Sequence, residues 1–380
     1  MKEITFINTH LFPDEKYGGV VYSGDGLFRG LARKLNVFAV TTSSDPNKVE
    51  DYYNSQKNKV KCFKSIFSHK LGFSISIIFG LPRIISKSKF VVINGIYTFP
   101  VTYAALLCVL FKTPFSVALR GGYEPWRLKQ KRWKKSVFNL LVTNPILKKS
   151  SFIHVISKME ALSVPKKYNE KIEIIPNGFD FSSYEKYKFL KRESIDVNKK
   201  DFNFLFLSRM DKEKGLDIVF NAFKDIQSIH KNSKLKLVGP DNNGYLKSLL
   251  KTIDTVDYKW IPGLYGDDKI KEILMADVLI LPSYSENFGN VILESLLFGT
   301  PVITSTGTPW GEIVPKVKCG WICEPEKESF LKLCIEAINT DRKELKKMGL
   351  IGQEFIKSNY SWDNIALTFS EKIKINLEKK

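Results

Sequence analysis

Short apolar runs alternate with helix-length amphipathic stretches along the first half of the chain. The first run, EITFIN (3–8), is followed by a loop that ends at Gly18-Gly19, an amphipathic stretch and a second run, VFAVTT (37–42). Further buried strands are predicted at FVVIN (90–94), PFSVALR (114–120), FIHVIS (152–157) and IEIIPNG (172–178). Continuous apolar runs separated by helices are typical of a parallel sheet covered on both faces.

The same pattern starts again after a polar, Lys-rich connection at about residues 181–200. Predicted strands follow at FNFLFLSR (202–209), KLKLVGP (234–240), YKWIPG (258–263) and DVLILPS (277–283), with helices from Gly215, near 243–252 and near 267–275. A chain of 380 residues also exceeds what one hydrophobic core usually organises. We therefore predict two α/β domains, residues 1–180 and 200–360, facing each other across a cleft at the carboxyl ends of their strands. The closing segment, residues 361–380, is predicted to be a helix that packs back on the first domain.

Positive charge is concentrated in residues 51–150, which contain 18 Lys and Arg but only 2 Asp and Glu. The formal net charge of the whole chain is +19, so most of this surplus lies in that region. Such a field implies an anionic partner, either nucleic acid or the negatively charged inner face of a membrane. The stretch WRLKQKRWKK (126–135) interleaves tryptophans with basic side chains, which is typical of a segment at a lipid interface. We expect docking on an anionic membrane and no nucleic acid partner; the alternative is a solvated helix face that raises solubility.

Composition indicates a folded chain of a reducing compartment. Apolar residues make up 43% of the sequence, which argues against disorder, and its 5 cysteines are few, odd in number and irregularly spaced. The opening MKEITFINTH lacks the features of a secretory signal, and Asn94, Gly95 and Pro100 interrupt the longest apolar region, residues 90–111. We expect a cytoplasmic protein without a transmembrane span.

The stretch SENFGNVILESLLFGTPVI (285–303) places two glutamates, Glu286 and Glu294, in one of the most apolar parts of the chain. Glu286 is predicted to lie in the loop after a buried strand, and Glu294 about one turn into the following helix, so both can face the cleft. Taken alone, each has an ordinary explanation, since Glu286 can be a helix-capping acid and Glu294 a solvent-facing helix residue.

The start of the same helix is a candidate anion site, because the backbone N–H groups of residues 288–290 have no partner within the helix. Carboxylates beside an anion would repel it, unless they accept hydrogen bonds from hydroxyls of the same ligand. A nucleotide sugar has both parts, a diphosphate and sugar hydroxyls. In SRMDKEKG (208–215), Arg209 and Lys214 are candidate cations for the diphosphate and for charge that develops on it; the alternative is that they are ordinary surface bases.

An ordered set of motifs then carries a family resemblance over nearly the whole length. The set is the Gly18-Gly19 loop, IPNGFD (175–180), SRMDKEKGLD (208–217), LVGP (237–240), ADVLILPSYSENFGNVILESLLFGTPVI (276–303) and Ser361-Trp362. It resembles the family four glycosyltransferases, retaining enzymes of the GT-B fold with a Glu-x7-Glu element. That fold consists of two Rossmann-like domains, the first for the acceptor and the second for the nucleotide-sugar donor.

The resemblance also implies roles for individual residues. Glu286 would contact the donor sugar, and Glu294 would hold the ribose hydroxyls. The other implied positions are Arg209 and Lys214 at the diphosphate, Phe288, Gly289 and Asn290 at phosphate and sugar, Gly239 and Pro240 as further donor-binding residues, and Gly18 and Gly19 in a flexible loop at the donor phosphate and acceptor. The resemblance also implies retention of the anomeric configuration by front-face attack, without a metal or cofactor.

One position departs from the family pattern. Where many members have a histidine followed by glycine, this chain reads ALRGGYEPW (118–126), with Arg120 at the corresponding place. Similar sequences occur in a branch acting in bacterial surface-polysaccharide assembly, so we interpret Arg120 as a variant active-site residue. Among the histidines, His154 is predicted to be a hydrogen-bonded core residue, while His10 lies at the end of the first strand, where it could face the cleft.

The sequence therefore predicts a retaining glycosyltransferase that moves a sugar from a nucleotide-sugar donor to a hydroxyl of a lipid-linked glycan in cell-surface polysaccharide or lipopolysaccharide biosynthesis. Two alternatives stay open. One is other nucleotide-sugar chemistry on the same fold, as in an epimerase or a phosphorylase. The other is a non-enzymatic polyanion-binding protein.

Overall fold

The computed structural model divides the chain into two units, Met1–Phe179 with Tyr360–Lys380, and Asp180–Asn359. The described residues are 3–14, 18–67, 69–123, 136–181, 200–253 and 256–378. The basic stretch 126–135 and most of the predicted connection 181–200 therefore lie outside the described residues.

A parallel sheet of seven strands forms the centre of the first unit, in the order β3-β2-β1-β4-β5-β6-β7. The strands are β1 (Ile4–Ile7), β2 (Val37–Ser43), β3 (Lys59–Lys64), β4 (Phe90–Asn94), β5 (Phe115–Ala118), β6 (Phe152–Val155) and β7 (Ile172–Ile174). Strand β1 is central, and Ile4 pairs with Val37 of β2 on one side and with Phe90 of β4 on the other. The chain thus leaves β1 toward one edge of the sheet and later returns to build the other.

Helices connect these strands. They are α1 (Gly19–Ala32), α2 (Pro46–Asn54), α3 (Ile75–Lys87), α4 (Phe99–Phe111), α5 (Asn144–Lys149) and α6 (Lys158–Ser163), with 3-10 turns at His69–Leu71 and Lys166–Lys171 and a π-helical turn at Asn139–Thr143. Within the described ranges, every helix is too short or too polar to cross a membrane.

The second unit repeats the plan with six parallel strands in the order β10-β9-β8-β11-β12-β13. The strands are β8 (Phe202–Leu207), β9 (Ser233–Val238), β10 (Tyr258–Ile261), β11 (Val278–Leu281), β12 (Val302–Ser305) and β13 (Gly320–Cys323). The helices are α7 (Leu216–Ile229), α8 (Tyr245–Leu249), α9 (Gly266–Met275), α10 (Asn290–Leu297), α11 (Ile313–Val317), α12 (Lys327–Asn339) and α13 (Arg342–Asn359), with a 3-10 turn at Lys212–Lys214.

The last helix, α14 (Trp362–Glu378), belongs to the first unit. It follows a short parallel bridge between Phe179 and Ser361, in which the Phe179 N–H donates to the Tyr360 carbonyl at 2.7 Å. The buried Trp362 and Phe369 then pack with α1 and α2 in one hydrophobic cluster. This confirms the predicted return of the closing helix to the first domain.

Both faces of the first sheet are covered, because successive side chains of a strand point to opposite faces. Phe6 of β1 packs with α1, α2 and α14, whereas the next residue, Ile7, packs with α3, α4 and α5. Two Rossmann-like α/β domains with parallel sheets are therefore confirmed. Strands β3, β12 and β13 were not predicted, and the predicted helix near 243–252 is limited to Tyr245–Leu249.

Candidate functional site

Most of the predicted site residues lie at one place in the second unit, where β8 and β11 are neighbours. After β8 the chain continues to β9 on one side of the sheet, and after β11 it continues to β12 on the other. The loops that follow β8 and β11 therefore diverge and leave a crevice at the carboxyl ends of the strands, which is where open α/β sheets bind ligands. Lys214 comes from the first loop and Glu286 from the second.

Lys214 and Glu286 form an ion pair across this crevice. The Nζ of Lys214 donates to Oε2 of Glu286 at 2.7 Å, and the two side chains are only 9% and 16% exposed. The other oxygen, Oε1, accepts from the N–H of Asn287 at 3.1 Å. Because the carboxylate is held at both oxygens, its orientation is fixed before any ligand arrives.

Backbone hydrogen bonds tie the two loops together. The N–H of Tyr284 donates to the carbonyl of Glu213 at 2.9 Å, next to Lys214. The Tyr284 hydroxyl donates to Oδ2 of Asp217 at 3.0 Å. Burial, followed by the charge and hydrogen bond of Asp217, raises the pKa of Tyr284 to about 12, so the phenol stays protonated at neutral pH. Tyr284 and Asp217 were not predicted as site residues, although both lie inside motifs of the family resemblance, residues 276–303 and 208–217.

Helix α10 begins immediately after Gly289, which has a left-handed backbone with φ of 77°. A Cβ at this position would be strained and would lie 3.3 Å from Cγ of Glu286, so glycine suits the turn. The preceding Phe288 is buried against Trp310, whose Nε1 donates to the Phe288 carbonyl at 2.5 Å. The loop is thus anchored from behind, and Asn290 opens the helix whose first N–H groups are suited to an anion.

Glu294, in the second turn of α10, is held by a second lysine. The Nζ of Lys269, on α9, donates to Oε1 of Glu294 at 2.8 Å, and the two side chains are 23% and 19% exposed. Sequence reasoning missed Lys269, because nothing in its local pattern relates it to a glutamate on the next helix. Glu286 and Glu294 are therefore each paired with a lysine from another segment.

Arg209, Gly239 and Pro240 lie at the same edge of the second sheet. Arg209 follows β8, is half-exposed and forms an ion pair with Asp211. The loop after β9 packs against it, since the N–H of Met210 donates to the Pro240 carbonyl at 2.9 Å. Gly239 has φ of 145°, and a Cβ there would overlap the Ser208 carbonyl oxygen. Glycine at this position permits the close approach of the two loops.

Arg120 lies in the first unit, beyond the carboxyl end of β5, and is almost completely buried. Its Nε donates to Oδ1 of Asn94 at 2.7 Å, and its Nη1 donates to Oδ1 of Asn177 at 2.8 Å. Burial lowers the pKa of the Arg120 guanidinium to about 10, and the negative charge of Glu160 opposes that shift. The side chain is therefore a buried cation at neutral pH.

Glu160 supplies the negative charge beside Arg120. Its Oε1 accepts from the Gly121 N–H at 2.5 Å and its Oε2 from the Ile156 N–H at 2.7 Å, so it links the loops after β5 and β6. The neighbouring His154 donates from Nε2 to the Ile175 carbonyl at 2.7 Å, which confirms it as a hydrogen-bonded core residue. Burial, and then the charge of Arg120, lowers the pKa of His154 to about 3, so the ring is neutral.

The remaining predicted positions are also in the first unit. Gly18 has φ of 70° and caps α1, and the exposed Gly19 is the first residue of that helix. Residues 15–17 lie outside the described residues. His10 is buried after β1, with its Nε2 3.3 Å from the Lys70 carbonyl oxygen.

Comparison with known families gives two matches in succession along the chain. The model described as Glycosyltransferase Family 4 matches residues 17–183, and the model described as Glycosyl transferases group 1 matches residues 188–355. The second match includes every predicted donor-site residue of the second unit.

Individual proteins are similar over different lengths. An uncharacterized glycosyltransferase of Methanocaldococcus jannaschii, MJ1607, is 28% identical over 228 residues, which are 58% of either chain. The lipopolysaccharide 1,2-N-acetylglucosaminetransferase of Salmonella typhimurium is 26% identical over 215 residues, 53% of this chain and 56% of that protein. The match thus spans little more than half the length of these two relatives. The structure of Anabaena Alr3699/HepE in complex with UDP and glucose has a TM-score of 0.74 at 17% identity, covering 98% of this chain and 100% of that one, and so shares the fold.

Proposed function

Because the chain belongs to the glycosyltransferases of group 1 and family 4, we propose that it transfers a sugar from a nucleotide-sugar donor to a hydroxyl of a glycan acceptor, with retention of the anomeric configuration. The observation that carries this proposal is the pair of lysine-held carboxylates, Glu286 and Glu294, that precede and follow the start of α10. A site with cations, helix N–H groups and oriented carboxylates matches a ligand that has both a diphosphate and sugar hydroxyls.

In this proposal the diphosphate binds at the start of α10. The first N–H groups of the helix and the positive end of its dipole favour negative charge there. The missing side chain of Gly289 allows phosphate to approach the backbone. Lys214 contributes a compact point charge and Arg209 a planar fork of donors, once it exchanges Asp211 for phosphate oxygens.

The carboxylates bind the hydroxyls on the two sides of the diphosphate. Glu294 accepts hydrogen bonds from the ribose, and Glu286 accepts them from the donor sugar. An ionised carboxylate has about four lone-pair positions, so a glutamate that already contacts a lysine retains acceptor capacity. The complex of HepE with UDP and glucose makes UDP the first nucleotide to test.

The proposed reaction proceeds by positioning and electrostatics. The bond between the anomeric carbon and the diphosphate oxygen breaks, the acceptor hydroxyl forms a new bond on the same face, and its proton goes to the departing phosphate. Negative charge grows on the diphosphate as the bond breaks, and Lys214, Arg209 and the α10 amides stabilise that charge. No metal or cofactor takes part in this proposed step.

We also propose that the first unit binds a lipid-linked glycan of cell-surface polysaccharide or lipopolysaccharide and docks on the anionic inner face of the cell membrane. The similarity to the Salmonella lipopolysaccharide transferase supports this class of acceptor. The charge surplus of residues 51–150 supports an anionic surface. Large apolar side chains exposed on α3, α4 and the π-helical turn, such as Phe79, Leu110 and Leu141, provide groups that can enter the interface.

A thermal-shift screen across UDP-, GDP- and ADP-sugars tests the donor proposal, because a ligand that binds only the folded state raises the melting midpoint. We expect one nucleotide class to raise the midpoint, and the matching free nucleotide diphosphate to do the same. Glu173→Ala is a control variant that should respond as wild type does, since Glu173 forms a similar ion pair, with Lys372, in the first unit. No response to any nucleotide or nucleotide sugar would contradict the proposed function.

Vesicle flotation tests the membrane proposal. Replacing Lys129, Lys131, Arg132, Lys134 and Lys135 with glutamine should reduce binding to phosphatidylglycerol vesicles and leave transfer to a soluble acceptor intact. The control replaces five exposed lysines of the second unit: Lys231, Lys251, Lys316, Lys318 and Lys346. If the two variants bind the vesicles equally well, the basic stretch has no specific role in membrane binding. Its charge would then contribute only to the net charge and hence to solubility.

A further inference from the structure

We propose that Lys269 is a positioning residue, which orients Glu294 toward the 2′- and 3′-hydroxyls of the donor's ribose and thereby makes the site selective for ribonucleotides over 2′-deoxyribonucleotides. This inference rests on the proposed function, because it concerns the same donor site. Lys269 lies outside the Glu-x7-Glu element, and that element alone does not require selectivity for ribonucleotides.

Lys269 holds the Glu294 carboxylate by one of its two oxygens. Nζ of Lys269 donates to Oε1 of Glu294 at 2.8 Å. Oε2 and the remaining lone pairs of Oε1 are therefore the acceptors that this contact leaves for ligand hydroxyls. The lysine thus orients the carboxylate without occupying the whole group.

Helix packing sets the separation between Lys269 and Glu294. Helix α9 is anchored through the buried Ile270 and Ile273. The hydroxyl of Thr300, just after α10, donates to the Ile273 carbonyl at 2.8 Å. This bond joins the two helices that carry the pair, so neither charged group can move far from the other.

A more exposed ion pair lies on the same helix. Lys271 forms an ion pair with Asp268 at 3.1 Å, but those side chains are 56% and 67% exposed. Exposed pairs contribute little, since water and salt screen them. The Lys269–Glu294 pair is far less exposed. Because Lys269 already orients the Glu294 carboxylate, less ordering of that side chain is needed when the ligand binds. Lys271 is therefore a matched control for Lys269.

The experiment is titration calorimetry of the full-length protein with UDP and with 2′-deoxy-UDP, or with the corresponding pair for the base that the thermal-shift screen selects. Wild type should bind the ribonucleotide more tightly. In Lys269→Met, UDP affinity should fall about tenfold, and 2′-deoxy-UDP affinity should fall less, so that the ratio of the two affinities shrinks. The donor KM should rise, and kcat at saturating donor should stay near the wild-type value.

Three further variants make the outcome decisive. Lys271→Met should keep the wild-type ratio, and Lys269→Arg should restore part of it. In a Glu294→Gln background, Lys269→Met should cause no further change, because the group it orients is already altered. If Lys269→Met lowers the melting midpoint but keeps the wild-type ratio, the lysine is merely structural and the inference is overturned. Failure of wild type to bind any nucleotide would overturn the proposed function instead.

Discussion

The two units place similar polar groups at the carboxyl ends of their sheets, but they treat them differently. In the first unit, Arg120 and Glu160 are almost completely buried among asparagine side chains and loop amides. In the second unit, Lys214 is as buried as Arg120, but Glu286 and the Lys269–Glu294 pair remain partly exposed. Both clusters combine a cation with a carboxylate, and they differ in the access of the carboxylates to solvent.

This difference in solvent exposure distinguishes a cluster that supports the structure from one that can bind a ligand. A buried charge needs its partners at all times, because an unpaired charge away from water is very unfavourable. A partly exposed carboxylate holds water molecules that a ligand hydroxyl can replace, while its contact with lysine stays intact. We infer that the Arg120 cluster holds the loops of the first sheet in place, and that the lysine-held glutamates of the second sheet are the groups prepared for a ligand.

The largest effect is expected from Glu160→Gln, which removes the negative charge that acts on the buried Arg120 guanidinium. A buried charge left without a compensating charge typically costs about 3–5 kcal/mol. The melting midpoint of the first unit should fall strongly, and the affinity of the folded protein for UDP should not change. Glu170→Gln, at an exposed position of the same unit, is the control. A midpoint within one degree of the control would show that the network does not stabilise the loops.

The next largest effect is expected in catalysis. Glu286→Ala should lower kcat by about 100- to 1000-fold, the usual cost of losing a group that acts on the transition state, with a smaller change in nucleotide affinity. Glu294→Ala should mainly weaken nucleotide binding. Steady-state kinetics and calorimetry separate the two effects, and Glu173→Ala, in the first unit, is the control. Near-normal kinetics in both site variants would contradict the assigned roles.

A smaller effect concerns pH and the first unit alone. Burial lowers the pKa of His154 from 6.5 to about 3, so below pH 6.5 the unfolded chain binds a proton that the folded chain excludes. Stability should therefore fall as the pH drops through this window, by about 1.4 kcal/mol per pH unit. His154→Gln removes the titrating group and should reduce the loss between pH 7 and pH 5 by about 2 kcal/mol. Urea unfolding at the two pH values measures this, and an equal loss in both proteins would contradict the account.

Most strands could be predicted because they are apolar and lie between helices, as with FVVIN, which forms β4 over Phe90–Asn94. Strand β3 could not, since it lies at the edge of the sheet and alternates exposed lysines with the buried Val60 and Cys62. Lysines of this kind protect an edge from pairing with another chain. They also give the segment a polar sequence that resembles that of a loop.

The candidate site was predictable only where it is local. Glu286, Glu294 and Lys214 lie in contiguous motifs with recognisable strand-loop-helix patterns. Lys269 and Glu160 instead contact groups of other segments. Sheet order and helix packing bring these segments together, and neither can be read from the local sequence pattern. Arg120 was found through its place in a motif, but its burial follows from the strands that surround it.

The central claim is that a nucleotide diphosphate binds at the start of α10, between the lysine-held glutamates of the second unit. A crystal structure of the protein with UDP tests it most directly. We predict ribose hydroxyl oxygens within about 3 Å of the Glu294 carboxylate, and the diphosphate at the N–H groups after Gly289 with Lys214 beside it. UDP bound elsewhere on the second unit, or a diphosphate that touches neither Lys214 nor the start of α10, would contradict the account.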